Sequence, residues 1–282
     1  MLASTWIRVL GLAAGAAGLW VARTQQPPQE LTVTKVADDL HVIVGSGGNV
    51  GVYVTDEGVV LVDDKFEQNY QQILDKVKGI TAAPVRYVLN THLHGDHSGG
   101  NARFLAAGVE VVAHENAQQL MEEKKMPGAP RLAFHDRLTV KLGGKVVTAN
   151  HFGRGHTRTD AVMHFPARRV IHTGDLFVAG APFIDYSSGG SGVAWTRTLD
   201  RALELDFDTV IPGHGPVMKR ADLLAWKQSF ETLKMQLSDL RREGKNADAA
   251  KGAVKLESLA GWGPGRMWDR TFPGLWEELG KN

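Results

Sequence analysis

Three histidines and an aspartate fall within six residues of this sequence, in the segment THLHGDH, and metal chemistry is the chemistry they suggest. The four are His92, His94, Asp96 and His97. Imidazole nitrogens are preferred ligands of zinc, and carboxylates suit harder cations or a bridging position. Gly95 permits the sharp turn that such crowding needs. The segment therefore predicts a metal site.

Three further ligand-type side chains stand beside glycines later in the chain. They are His156 in GHT, Asp175 in TGD and His214 in PGHGP. Each follows a short run that is predicted to be a strand, and the neighbouring glycine lets the backbone approach a site closely. These residues bring the candidate metal ligands to seven.

The surrounding pattern predicts two similar halves, each with strands followed by helices. β-Branched runs at residues 31–36, 41–44, 50–55 and 58–63 predict an antiparallel meander, with Gly45 to Gly48 at an exposed hairpin tip. The predicted strand at residues 85–90 ends directly before the histidine segment, so a loop can aim its side chains at one point. The second half leads into an amphipathic helix at residues 221–242. We predict an α/β fold, a four-layer αββα sandwich in a single domain.

Composition narrows the class of function. The chain has 282 residues, 43% of them hydrophobic, which is enough for one large core, and its formal net charge is +1. No basic face is indicated, so we expect a small-molecule substrate and no nucleic acid. The lack of cysteine excludes disulfides and thiol nucleophiles. The sequence leaves the oligomeric state open.

Residues 1–26 differ from the rest of the chain. Arg8 precedes a run of apolar and small residues, VLGLAAGAAGLWVA, which is typical of an export signal. The run is short for a membrane-spanning helix, which needs about 20 apolar residues. We predict an export signal or N-terminal anchor at 1–26 and the main domain at 27–282, with a core at 31–220 and C-terminal helices at 221–282. The expected location is the periplasm, with membrane contact only through an uncleaved N-terminal segment.

The motif HLHGDH, followed in order by GHT, TGD and GHG, resembles the metallo-β-lactamase superfamily. The resemblance covers residues 31–220 and includes all of the superfamily's metal motifs. It implies the metallo-β-lactamase fold and a catalytic domain with two divalent metal ions, expected to be zinc. Asp63, in the segment LVDD, also matches the superfamily's acidic strand end.

The resemblance also implies a role for each ligand. The first metal would be held by His92, His94 and His156, the second by Asp96, His97 and His214, and both would be bridged by Asp175. A hydroxide between the metals would be the nucleophile, because two cations lower the pKa of bound water. Asp96 and Asp175 are thus the expected catalytic carboxylates. Asp63 would orient a ligand imidazole or hold the loop.

The implied activity is hydrolysis of an ester, lactone, thioester or amide bond, β-lactams included. The bridging aspartate resembles the glyoxalase II, lactonase and nuclease-like branches. Two alternatives remain open. One is a mononuclear iron enzyme of redox or sulfur chemistry. The flavodiiron oxidoreductases usually have Glu at the position of His94, so this histidine favours zinc-type hydrolysis over iron redox chemistry. The other is a non-catalytic accessory protein that binds metal.

Two connecting segments, at residues 125–136 and 177–195, lie between the metal-bearing segments and are predicted to rim the site. Phe183 and Tyr186 are candidate substrate contacts, and the Tyr186 hydroxyl is a hypothetical leaving-group acid. The histidines at positions 41, 114, 135, 151, 164 and 172 are expected to be structural or solvent-facing.

Overall fold

Two mixed β-sheets form the centre of the fold. The computed structural model describes residues 30–259, 262 and 265–281. The first sheet has seven strands in chain order: β1 (Thr32–Ala37), β2 (Leu40–Val44), β3 (Val50–Thr55), β4 (Gly58–Val62), β5 (Val85–Leu89), β6 (Glu110–His114) and β7 (Leu132–Phe134). The second has six, also in chain order: β8 (Arg137–Leu142), β9 (Lys145–Asn150), β10 (Val162–Phe165), β11 (Val170–His172), β12 (Thr209–Ile211) and β13 (Met218–Lys219).

Helices cover the outer faces of both sheets. The α-helices in the described part of the chain are α1 (Tyr70–Ile80), α2 (Gly95–Ser98), α3 (Asn101–Ala106), α4 (Glu115–Glu123), α5 (Gly192–Leu203), α6 (Arg220–Arg242), α7 (Ala247–Ala253) and α8 (Arg266–Leu279). Residues of α1 and α3 pack with the first sheet, and residues of α5 to α8 pack with the second.

Side-chain alternation along β4 shows the layering. Val60 and Val62 belong to the core between the sheets, where they meet Phe165 of β10. Val59 and Leu61 point the other way, into the core beneath α1 and α3. A third core joins the second sheet to α5–α8. Successive residues of a strand face opposite sides, so three apolar layers separate four structural layers. The predicted αββα sandwich is confirmed.

Parallel pairing brings particular strand ends together. β1 to β4 form the predicted antiparallel meander. β4 and β5 are parallel, with Val62 opposite Leu89, and β11 and β12 are parallel, with His172 opposite Ile211. The carboxyl ends of parallel strands lie at one edge of a sheet, which is where such folds place ligands.

Some predicted boundaries shift in the structure. The segment at 125–136, predicted to be a loop, includes strand β7, and the helix predicted to begin at Trp195 begins at Gly192 because Ser191 caps it by accepting from Ala194 N at 3.0 Å. The predicted segment 1–26 lies outside the described residues. Within the described ranges, no helix combines the length and apolar character needed to cross a membrane.

Candidate metal centre

The predicted ligand segments converge at the carboxyl ends of the parallel strands. Asp63 and the histidine segment follow the neighbouring strands β4 and β5, and Asp175 and His214 follow β11 and β12. Four ligand-type side chains form a first group whose donor atoms all lie within 4.8 Å of one another: His92, His94, His156 and Asp175. A second group of the same compactness contains Asp96, His97 and His214. The structure thus brings all seven predicted ligands together.

The imidazoles of the first group turn their nitrogens toward one another. His94 Nδ1 lies 3.2 Å from His92 Nε2 and 2.9 Å from His156 Nε2. Each ring uses its other nitrogen for an outward hydrogen bond: His92 Nδ1 with Thr91 Oγ1 (3.1 Å), His94 Nε2 with Asp185 Oδ2 (2.9 Å) and His156 Nδ1 with Phe183 O (2.6 Å).

These outward bonds fix the tautomers. The oxygens of Phe183 and Asp185 can only accept, and the Thr91 hydroxyl donates to Asp63 Oδ2 at 2.8 Å, so it accepts from His92. A neutral imidazole carries one N–H, so in the neutral form that binds a metal the inward nitrogens of His92, His94 and His156 hold lone pairs. Three lone pairs that face one another repel unless a cation lies between them. The donor set therefore fits a bound metal.

Asp175 lies between the two groups. Its Oδ2 is 3.6 Å from His156 Nε2, whereas its Oδ1 is 3.2 Å from His97 Nε2 and 3.3 Å from His214 Nε2. Asp175 Oδ1 is buried and makes no hydrogen bond of acceptable geometry within the described structure. A buried carboxylate oxygen without a donor needs another partner, so this atom fits a shared cation.

Electrostatics keeps His92, His156 and Asp175 of the first group in the forms that bind a metal. Burial lowers the pKa of His92 well below its usual value and that of His156 to about 4, so both rings are neutral. Burial also opposes charge on Asp175, but the nearby His97 outweighs it and holds the carboxyl pKa well below its usual value. Neutral imidazoles and an ionised carboxylate are what a metal ion requires.

Asp63 anchors the second group. Its side chain is fully buried and accepts from His97 Nδ1 at 2.7 Å and from Thr91 N at 2.7 Å. The bond to Nδ1 leaves His97 Nε2 facing His214 Nε2, 3.3 Å away. The structure therefore places Asp63 where it orients the His97 imidazole.

The glycine run at 45–48 joins the antiparallel strands β2 and β3 as the predicted hairpin, but the prediction that this tip is exposed is wrong. Gly48 is buried, its N–H donates to Asp96 O at 3.0 Å, and a Cβ there would overlap the His97 ring. Lys65 Nζ donates to Gly48 O at 2.5 Å and to Ser46 O at 3.2 Å. Burial lowers the pKa of Lys65 to about 8. The sequence did not identify Lys65, because nothing in a lone lysine indicates an inward side chain.

The two candidate substrate contacts differ in position. The Phe183 ring lies 6.4 Å from the His94 ring, in a stacked orientation, and 5.5 Å from the His156 ring, so it borders the first group. The Tyr186 hydroxyl instead donates to Glu278 of α8 at 3.0 Å. The hydroxyl that was hypothesised to protonate a leaving group is therefore hydrogen-bonded to α8 in this structure.

A further cluster contains His114, Glu115 and His135. His114 caps α4 by accepting at Nδ1 from Asn116 N at 3.1 Å, and its ring stacks on His151 at 3.8 Å. Glu115 and His135 are exposed. The contacts of His114 and His151 are structural, as expected.

A fold of this layering, with two adjacent histidine–aspartate groups at the strand ends, defines a class of metal-binding proteins. A sequence model of the metallo-beta-lactamase superfamily matches residues 43–214, more than half of the chain. The chain belongs to this superfamily, and its coarse class is that of the metallo-hydrolases. The predicted family is confirmed.

Individual relatives are distant. The chain is 27% identical to metallo-beta-lactamase IND-1 of Chryseobacterium indologenes over 165 residues, 57% of this chain and 69% of that protein. It is 25% identical to 2,4-dinitroanisole O-demethylase subunit alpha of Nocardioides sp. (strain JS1661) over 200 residues, 68% of this chain but only 60% of that subunit. The solved structure of DIM-1 metallo-beta-lactamase shares the fold, with a TM-score of 0.65, 20% identity, and coverage of 72% of this chain and 98% of that chain.

Proposed function

We propose that the protein is a binuclear metallo-hydrolase that carries two Zn²⁺ ions and cleaves an ester, lactone, thioester or amide bond of a small molecule. The convergence of three imidazole lone pairs beside the shared Asp175 carries this proposal. When bound, two divalent cations would lower the pKa of a shared water and polarise the carbonyl oxygen of the substrate.

The residues of the chain supply orientation and charge. Asp185 and the Phe183 carbonyl hold His94 and His156 in one tautomer each, and Asp63 does the same for His97. Such outward partners fix ring orientation and raise ligand basicity. Two partly buried carboxylates, Asp96 and Asp175, would balance the charge of the cations. Their positions favour metals held close together over a single iron.

A cleft beside the second group gives room for substrate. It has a volume of about 520 Å³, and its lining includes His214, Gly45 and Gly47 of the glycine loop (residues 45–48), Pro216 and Val217. Its size suits a small molecule. His214 is the lining side chain that belongs to a metal group, so a ligand in this cleft would lie next to that group.

The names of the relatives suggest further substrates to test. Two kinds of activity appear among them, β-lactam hydrolysis by name and O-demethylation of 2,4-dinitroanisole. We therefore include a cephalosporin and an aryl methyl ether among the candidates. We also propose export to the periplasm, for which the apolar run after Arg8 is the support.

The decisive experiment measures metal content and turnover together. The purified protein would be loaded with zinc or stripped by a chelator, and assayed on a chromogenic cephalosporin, an aryl ester, a lactone, a thioester, an aryl methyl ether and a phosphodiester. We expect two zinc ions per chain and turnover of one bond class that disappears on stripping. A single iron with oxygen consumption, or zinc-independent turnover, would refute the proposal.

A further inference from the structure

We propose that Arg270, on helix α8, is a substrate-binding residue that recognises a carboxylate or a similar anionic group of the substrate. This inference rests on the proposed hydrolase function and adds the charge of the substrate to it. Arg270 lies beyond the segment matched by the family model, which ends at residue 214.

Arg270 lies over Phe183, the ring that borders the first metal group. Its guanidinium carbon is 4.0 Å from the centre of the Phe183 ring. That ring in turn lies 6.4 Å from the ring of His94 and 5.5 Å from the ring of His156. The distance from the guanidinium carbon to the centre of either imidazole ring therefore cannot exceed the sum of its distance to the Phe183 ring and the distance between the two rings. A substrate that reaches the metals through its carbonyl group can reach Arg270 with a side group.

Helix α8 holds Arg270 in place. The next residue, Thr271, donates to Pro182 O at 2.9 Å and accepts from Ile184 N at 3.3 Å, so it binds the chain on both sides of Phe183. Two turns later, Glu278 accepts from Gly192 N at 2.8 Å. A cationic side chain on a helix that is fixed by such hydrogen bonds loses less conformational entropy on binding a ligand than one on a mobile segment.

The guanidinium of Arg270 has unused hydrogen-bond donors. In the part of the chain that the structure describes, its one recorded contact is the face of Phe183, and no hydrogen bond or ion pair involves it. The guanidinium of Arg168, by comparison, donates two hydrogen bonds of 2.6 Å to the carboxylate of Asp39. Stacking on a ring occupies the face of a guanidinium and leaves the N–H edge available for a carboxylate. The exposed side chain of Arg270 therefore offers a bidentate anion site at the rim of the metal centre.

The test uses equilibrium binding of two thiols that differ only at the far end. Thiolates bind zinc, so 6-mercaptohexanoate and 6-mercaptohexanol would both bind the zinc-loaded protein, and calorimetric titration would give their affinities. We expect the carboxylate to bind about tenfold more tightly, the order of one charge-assisted hydrogen-bonded pair. Arg270→Gln should abolish this preference without changing the affinity for the alcohol, and Arg270→Lys should restore part of it.

Arg103→Gln is the matched control, because Arg103 is also exposed and lies over an aromatic ring, 4.8 Å from the centre of Tyr70. It should keep the wild-type preference. Equal binding of the two thiols by the wild type, or a preference that survives in Arg270→Gln, would overturn the assignment of Arg270. A protein that takes up no zinc would instead count against the proposed function, on which this inference depends, so the two failures are distinguishable.

Discussion

The imidazole of His94 donates from Nε2 to Oδ2 of Asp185 across 2.9 Å, although 91 residues separate the two in the chain. Burial disfavours a charged Asp185, but its hydrogen bonds to His94 and Ser187 hold the carboxyl pKa below its usual range. The carboxylate therefore stays ionised and fixes Nδ1 of His94 toward the other two imidazoles.

Replacing Asp185 should weaken zinc binding. Asp185→Ala removes the acceptor that orients His94, and loss of such a partner typically costs 10–100-fold in metal affinity. Competition with a zinc chelator would measure the change. Asp185→Asn keeps an acceptor oxygen at this position and should lose less. Wild-type affinity in Asp185→Ala would show that His94 needs no partner.

Asp175→Ala should remove the carboxylate shared by both metal groups. Its two oxygens face different groups, so we expect the zinc content to fall from two ions per chain toward one. Loss of a residue that only orients a ligand costs up to about 100-fold, so we expect turnover to fall by more than about 100-fold when the shared ligand itself is lost. Elemental analysis of the dialysed variant would report the content. A variant with two tightly bound zinc ions and full activity would contradict the bridging assignment.

Gly48→Ala should disturb the second group through steric overlap. Its Cβ would meet the His97 ring, and overpacking of a buried site costs about 1–3 kcal/mol. We expect a lower free energy of unfolding and weaker zinc binding. Gly79→Ala is the control: a Cβ at this position of α1 meets nothing within 4 Å, and the variant should gain about 0.5–1 kcal/mol. Unchanged stability of Gly48→Ala would mean that the glycine loop yields easily.

Tyr186→Phe separates a structural from a chemical role for this hydroxyl. The bond to Glu278 joins the loop after Phe183 to α8. Its loss should lower the free energy of unfolding by about 1 kcal/mol, with a turnover number within about twofold of the wild type. A large fall in turnover at unchanged stability would revive the hypothesis that Tyr186 is a leaving-group acid.

Asp39 should make stability depend on pH. It pairs with Arg168 at 2.6 Å and with Lys145 at 2.5 Å, which ties the first sheet to the second. Burial would raise the carboxyl pKa, but these two cations lower it below its usual value. Because the folded-state pKa lies below the unfolded one, the stabilisation is fully present above the unfolded pKa of about 4 and is lost as the pH falls through the folded pKa.

Asp39→Asn therefore should lower the free energy of unfolding by about 1–3 kcal/mol at neutral pH. The difference from the wild type should shrink as the pH falls below about 4. Urea denaturation across this range would measure it. Asp38→Asn is the adjacent control, because the Asp38 side chain is 97% exposed and its pairing with Lys35 should matter little. A constant difference at all pH values would rule out the charge of Asp39 as the cause.

The ligands could be predicted from the sequence because their positions follow strand geometry. Asp175 and His214 each stand next to glycine shortly after a strand, which is a local pattern. His156 also stands next to glycine, but it lies in the loop between β9 and β10 and not at the predicted strand end. The contact of Asp185 with His94 was missed, because it depends on the docking of a loop against a later helix. The two serines that follow Asp185 predict a local turn, and in the structure Asp185 Oδ1 accepts from Ser187 N at 3.0 Å. This local pattern does not indicate the contact with His94. The glycine loop was misplaced because glycines have no side chains to show a buried face.

The dependence of the loop on α8 sets an order of events during synthesis. Tyr186 and Glu278 are 92 residues apart, so a chain that grows from its amino end releases the histidines, Phe183 and Asp185 long before the helix that holds them. His94 and His156, whose partners Asp185 and Phe183 lie in this loop, can take their final orientation only when this late helix docks. In the proposed metallo-hydrolase, metal capture at full affinity would therefore follow the docking of α8.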